Sequence, residues 1–414
     1  MVTIPHDWCE RQLQDICVPS GLVRGPFGGS LKKEIFQSSG KKVYEQRNAI
    51  YRSVKIGNYY ITDDKYRELI RFSVTPGDFI VSCSGTIGKI FRLPQTAPQG
   101  VINQALLKIS LDASICAPEY FYKYFEWSRF QNLITDDTQG GAMKNLVGMD
   151  KFKKTEFVMP QEVSEQKEIA KVLSEIAVYI DDLAELIQKK KSIRDGALED
   201  LITKKTRLDG FDGDWTPVTF NQVITPKARI GWQGLKKHEY LRSGYSYLIG
   251  GTDFNNGTVS LDNISYVSKE RYDMDTNIQV SENDVLVTKD GTIGKVAIVP
   301  ELNKPATLNS GVFVFRTNSR LVPTFLFRVL QSSVFREFID TLSAGSTIKH
   351  LYQKDLKKFE FEIPVDMKEQ EAIAAVLTAM DEEIRDLKTE QEKMIQIREG
   401  AMDDLLTGRV RLTK

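Results

Sequence analysis

The strings SGTIGK at 84–89 and DGTIGK at 290–295 each set a lysine directly after a glycine turn. That pairing of backbone loop and cation is how many proteins hold phosphate. A nucleotide-binding phosphate loop also needs a glycine five positions before the second glycine, and Ser or Thr after the lysine. Those positions hold Cys83 and Ile90 in one copy and Lys289 and Val296 in the other. Both copies fail twice, so a nucleotide site is rejected, and Lys89, Lys289 and Lys295 are read as cations beside tight turns. No stretch carries covalent chemistry. There is no Asn/Asp-Pro-Pro-aromatic motif of an adenine methyltransferase, no G-x-S-x-G elbow and no nuclease carboxylate pattern. The three histidines are scattered and no CxxC occurs, so no metal set is spelled out.

Two more segments join glycine to cations and aromatics. LVRGPFGGSLKKEIF at 22–36 offers Arg24, Lys32 and Lys33, and PKARIGWQGLKKHEY at 226–240 offers Arg229, Trp232, Gln233, Lys236 and Lys237. Such loops can set lysines on phosphates and leave Arg, Gln or Trp to reach base edges. The alternative is a solvated loop whose lysines aid solubility, and recurrence in both halves favours a ligand. Lys144 and Lys349 follow small, glycine-containing stretches and are candidates for phosphate contact.

The elements that must carry these residues are duplicated. FIVSC and IFRL flank the first GTIGK string, and VLVT and VAIV flank the second, so each reads as a turn between two strands. HDWCERQLQDI matches GDWTPVTFNQV and pairs Trp8 with Trp215. PEYFYKYFEWSRFQNLI from Pro118 matches PTFLFRVLQSSVFREFI from Pro323. Residues 165–208 and 369–412 share 19 identities in 44 aligned positions. The order is head, helix, head, helix: 1–160, 161–208, 209–364 and 365–414.

Both helical segments show apolar residues alternating by four and three. In the first these are Ile169, Leu173, Ile176, Ile180, Leu183 and Ile187; in the second, Ile373, Leu377, Met380, Ile384 and Leu387. That is a coiled-coil seam; the alternative is two amphipathic helices each lying on its own head. Forty residues of helix reach about 60 Å. The second head leaves the end of one helix and enters the start of the next, so antiparallel pairing puts both junctions at one end. The expected fold is α+β: two similar β-rich heads separated by two long antiparallel coiled-coil helices, related by a pseudo-two-fold repeat. Gly196 and Gly400 recur inside the helices at a cost of about 1 kcal/mol against alanine. They suggest a bend or a partner's docking point, or inheritance from one ancestral copy.

Composition frames this reading. The 414 residues have zero formal net charge, 41% hydrophobic and 27% charged content, as in an ordinary globular protein. Residues 1–160 hold 21 Lys and Arg against 16 Asp and Glu, whereas 365–414 hold 8 against 12, so cations concentrate away from the final helix. The four cysteines, all in the first third, read as reduced structural thiols of a cytoplasmic protein. There is no secretion signal at the start and no membrane-spanning stretch.

Taken in order, the Asp-Trp start of each half, GPFGGSLKK, GWQGLKK, the paired GTIGK, the IKHL segment and the duplicated EQ..IA.VL…GA..DL helix resemble the specificity subunit of type I restriction-modification systems. The first half departs slightly, with AMKNL for TIKHL and TKKTRL for TGRVRL. The resemblance implies that each head is a target-recognition domain reading half of a bipartite DNA site. It implies that the helices set the gap between the halves, and that two methyltransferase subunits dock on them. Restriction subunits join in some systems. S-adenosylmethionine, ATP and Mg belong to those partners, and this chain itself carries no cofactor and no catalytic residue. Two other readings compete: a coiled-coil scaffold joining two protein-binding heads without DNA, and a self-sufficient DNA-modifying enzyme.

Overall fold

The β-branched runs around each glycine string form antiparallel hairpins in a computed structural model that describes residues 4–26, 28–136, 145–231, 234–343 and 350–412. Phe79–Ser82 pairs with Ile90–Arg92, and Val285–Thr288 with Val296–Ile298. The chain divides into two compact units, 1–184 with 390–414, and 185–389. Each long helix, Val163–Ile202 and Met367–Leu405, contributes to both.

In the first unit a four-stranded sheet runs in the order Cys17–Arg24, Leu106–Leu111, Phe79–Ser82, Ile90–Arg92. A second four-stranded sheet contains the parallel pair Lys41–Tyr44 and Gly100–Ile102. The ribbon Trp8–Gln12 with Glu156–Pro160 closes the unit beside the helices. The second unit repeats this plan. Ile224–Ala228, Val312–Thr317, Val285–Thr288 and Val296–Ile298 lie in the same order within a six-stranded sheet. Ser246–Ile249 runs parallel to Ala306–Leu308, and Trp215–Thr219 pairs with Glu360–Pro364. The six-stranded sheet owes its extra strands to the hairpin Phe254–Asn255 and Thr258–Val259, whose turn places Asn256 and Gly257 at φ of 50° and 82°. Asn-Gly tolerates both positive angles.

Most positions of the apolar seam are buried, and the helices run antiparallel within each unit. In the first unit Ile180 and Leu183 are buried, Tyr179 donates to Glu390 at 2.5 Å, and Gln391 donates to the Ile180 carbonyl at 3.3 Å. In the second, Ile187 and Ile384 are buried, while Lys190 pairs with Glu383 and Arg194 with Asp381 at 2.6 and 3.3 Å. Ile176, Met380 and Leu387 are half-buried. The two alternatives for these helices both hold, at different positions. Ile169 and Leu173 belong to the core of the first head, and Ile373 and Leu377 to that of the second. Each helix therefore begins as a core helix of its own head and continues as a seam.

A matching clasp closes each unit. Arg411 holds Asp7 at 2.7 and 2.9 Å and Glu165 at 2.7 and 2.9 Å, with its guanidinium 5.8 Å from the Trp8 ring. Arg207 holds Glu369 at 2.7 to 3.0 Å and donates to the Gly213 carbonyl at 2.8 Å, while Trp215 donates to the same Glu369 at 3.3 Å. The departure TKKTRL is accommodated here. Gly408 turns at φ 72°, and Lys204 at the aligned place takes φ 62°. A lysine held there costs on the order of 1 kcal/mol, and its side chain lies on Glu362 and 5.9 Å from the Trp215 ring.

Candidate nucleic-acid interface

The two glycine turns are built alike. Ser82 and Thr288 end the incoming strands and are buried. Each donates its amide proton to the carbonyl of the turn's lysine at 2.9 Å. Each accepts from the second glycine of the turn on its own carbonyl, at 2.9 Å from Gly88 and 3.0 Å from Gly294, and accepts the lysine's amide proton on its hydroxyl, at 3.0 Å from Lys89 and 2.9 Å from Lys295. The glycines take φ of 66° and 72° in the first turn and 71° and 77° in the second. The lysine backbones are thus fixed while both side chains stand exposed. Lys289 differs: it is half-buried, with its ammonium 5.5 Å from the Phe313 ring centroid. Beside it, Asp290 bonds His350, and Leu351 donates to the Lys289 carbonyl at 2.8 Å. The last two residues of the IKHL string, His350 and Leu351, are therefore tied to the second turn.

In the glycine-lysine loops, Lys32 and Lys33 of the first unit and Lys236 and Lys237 of the second are exposed, and Arg24 is half-buried. Trp232, Gln233, Lys144 and Lys349 lie outside the described residues. Arg229 differs from expectation. It is 2% exposed, and donates to the Leu308 carbonyl at 2.9 Å and the Thr307 hydroxyl at 3.5 Å. Burial, with Arg271 nearby, lowers its pKa from the ordinary guanidinium value. Arg229 is a post under the loop and not a surface cation.

Sequence reasoning missed what fixes this loop. Arg271 bonds Glu239 at 2.8 Å and the Gly234 carbonyl at 3.1 Å, and Glu239 accepts the Lys236 amide proton at 2.6 Å. Backbone donation from Lys236 holds the Glu239 carboxyl below its usual range. It also missed the joint between head and helix, where Gln166 and Gln370 are fully buried. Gln166 accepts from the Ala117 amide at 2.7 Å and donates to the Ile115 and Pro160 carbonyls at 3.0 and 2.9 Å. Gln370 accepts from Val322 at 2.9 Å and donates to Arg320 and Pro364 at 3.0 and 2.8 Å. The signal was present in the identical EQ pairs at 165–166 and 369–370.

Gly196 and Gly400 are exposed, and a methyl at either would meet nothing within 4 Å. Packing within this chain therefore does not require them. The four cysteines are free, and burial pushes the Cys17 and Cys83 thiols up to about 12, which keeps them protonated and unreactive. Among the described residues no group of three or more His, Cys, Asp or Glu could hold a metal ion, and no helix is long and apolar enough to cross a membrane. The arrangement offers fixed, solvent-facing cations on rigid turns, which suits a polyanion.

Comparison with known proteins gives one answer. The family profile described as type I restriction modification DNA specificity domain matches twice, over 5–194 and 214–396. The type I restriction enzyme MjaVIII specificity subunit of Methanocaldococcus jannaschii is 22% identical over 356 residues, 82% of this chain and 80% of that protein. The EcoBI specificity subunit of Escherichia coli is 26% identical over 326 residues, 73% of this chain and 66% of that protein. The crystal structure of the type I restriction-modification S subunit from M. genitalium superposes with a TM-score of 0.58 at 16% identity, over 97% of this chain and 96% of that one.

Proposed function

The chain belongs to the type I restriction modification DNA specificity family, and from that membership we propose that it is the sequence-reading subunit of such a system. Each head reads one part of a bipartite duplex site. The long helices set the interval between the parts and receive methyltransferase subunits, which bring S-adenosylmethionine; restriction subunits that use ATP and Mg join where the system has them. The chain itself performs no covalent step and works in the cytoplasm. A base to be methylated must leave the stack, so the subunit that aims the enzyme has to hold the duplex firmly.

The observation that carries this reading is the doubling, in two heads of one plan, of the same exposed cations: Lys89 and Lys295 on rigid turns, Lys32 with Lys33 and Lys236 with Lys237 on loops. Matched cations on both heads suit a partner that presents the same negative backbone to each. Arg24, Lys289, Trp232, Gln233, Lys144 and Lys349 remain candidates for contact, with Gln233 and Trp232 suited to base edges.

The test is salt-dependent binding of a specific duplex by the complex with its methyltransferase subunits. Lys236→Gln with Lys237→Gln weakens binding to all sequences alike and lowers the salt slope by roughly 0.9 for each phosphate no longer neutralised. An unchanged slope and affinity would remove the second loop from the interface.

A further inference from the structure

The second unit contains a cavity of about 570 Å³ between the long helices, the Asn256-Gly257 hairpin turn and the helix Pro323–Gln331. Five cations line it: Lys191 and Arg194 from the first long helix, Arg328 from the short helix, and Arg385 and Lys388 from the second long helix. Two carboxylates, Asp381 and Glu382, line it with them. Asp381 is shared, 2.5 Å from Arg328 and 3.3 Å from Arg194. Glu382 lies 3.8 Å from Arg385. Lys191 and Lys388 make no ion pair among the described residues. Arg328 is only 3% exposed, and its buried Nε has no hydrogen-bond partner. The facing wall supplies the amides of Asn255, Asn256 and Asn283.

Arg194 also holds Asp195, at 3.0 Å. The carboxylates thus answer only part of the cluster, and the positive charge left over, with Lys191 and Lys388 unpaired among the described residues, favours an added anion. The first unit does not repeat the arrangement. At the aligned positions it holds Ile395 for Lys191, Asp181 for Arg385, Ala184 for Lys388 and Ala177 for Asp381, leaving Lys123 and Arg398 as the cations. The cluster is therefore particular to one half, and the architecture that the halves share does not require it.

We propose that this cavity is a binding site for a phosphoryl group, particular to the second unit. Arg385 and Lys388 neutralise the anion from the helix side, and the asparagine amides donate to its remaining oxygens from the hairpin side. Guanidinium and ammonium groups with amide donors form the charge-assisted set that phosphate oxygens accept. The proposal stands apart from the duplex reading, because inorganic phosphate tests it without DNA.

The experiment titrates inorganic phosphate calorimetrically into the full chain in its complex. The expected result is binding that Arg385→Gln with Lys388→Gln weakens by at least about tenfold. Lys393→Gln, an exposed lysine of the same helix outside the cavity, leaves it unchanged. A second arm measures the salt slope on a specific duplex. A slope lowered by roughly 0.9 in the double variant identifies the ligand as one backbone phosphate. An unchanged slope, with adenosine monophosphate competing against inorganic phosphate, identifies a free phosphoryl ligand. Arg385 is exposed and Lys388 half-buried, and neither belongs to a hydrophobic core, so the fold survives their replacement. Equal phosphate affinity in wild type and double variant overturns the proposal.

Discussion

Gln370 is a single side chain that ties three backbone groups from two segments, 320–322 and Pro364, to the start of a long helix. Replacing it with leucine leaves the buried Pro364 carbonyl and the part-buried Val322 amide and Arg320 carbonyl without this partner. A buried orphaned group costs about 1–3 kcal/mol and a part-buried one less, so Gln370→Leu loses about 2 kcal/mol or more. Urea unfolding measures it, and a loss under about 1 kcal/mol would mean the joint rests on Ile373 and Leu377 alone. The clasp residues give a pH-dependent counterpart. Hydrogen bonding to Arg411 holds the Asp7 carboxyl below its ordinary 3.8. A depressed folded pKa contributes stability that is present above the unfolded value and fades as pH falls through the folded one. The urea midpoint of Arg411→Ala therefore trails wild type at pH 7, and the difference shrinks steadily below about pH 4. A difference that stays constant to pH 2 would assign the clasp to packing on Trp8 instead of charge.

At the scale of elements the glycine turns can be compared directly. Gly88 and Gly294 share positive φ, so alanine strains both by about 1 kcal/mol. Their surroundings differ: a methyl on Gly88 would lie 2.3 Å from the Gln131 amide oxygen, and one on Gly294 3.3 Å from Ile339. Gly88→Ala therefore destabilises its unit more than Gly294→Ala, with each measured by hydrogen exchange of the strand amides; the reverse order would mean that Gln131 moves aside freely. These turns, the hairpin strands and the helix seam were legible in the sequence because each follows from local periodicity or a glycine requirement. Arg229 was not, because its partner carbonyl on Leu308 is 79 positions away. The ties from Arg271 to Gly234 and from Glu199 to the Ser333 amide at 2.9 Å were hidden for the same reason. A glycine-rich basic string looks alike whether its arginine faces water or closes a loop from beneath. The seam also hid a change of role. Its period runs unbroken from Ile169 to Ile187, although the first two positions are core to a head.

At the scale of the whole molecule, duplication explains why one chain carries two heads of one plan, and divergence explains why they need not read the same bases. Among the described residues the six-stranded sheet lies in the second unit, as does the cationic cavity, whose cations the first unit does not repeat, and both show how far the copies have parted. If the helices set an interval, their length is a variable independent of either head. The most direct measurement is selection from a randomised duplex library by the complex with its methyltransferase subunits. It is done once with wild type and once with four residues inserted into each long helix, an addition of about 6 Å. Wild type is predicted to enrich two short, different blocks of sequence separated by a fixed number of unread positions. The lengthened chain is predicted to enrich the same two blocks with the interval wider by roughly two base pairs. No enriched sequence, a single continuous block, or blocks that change while the interval stays fixed would contradict the account.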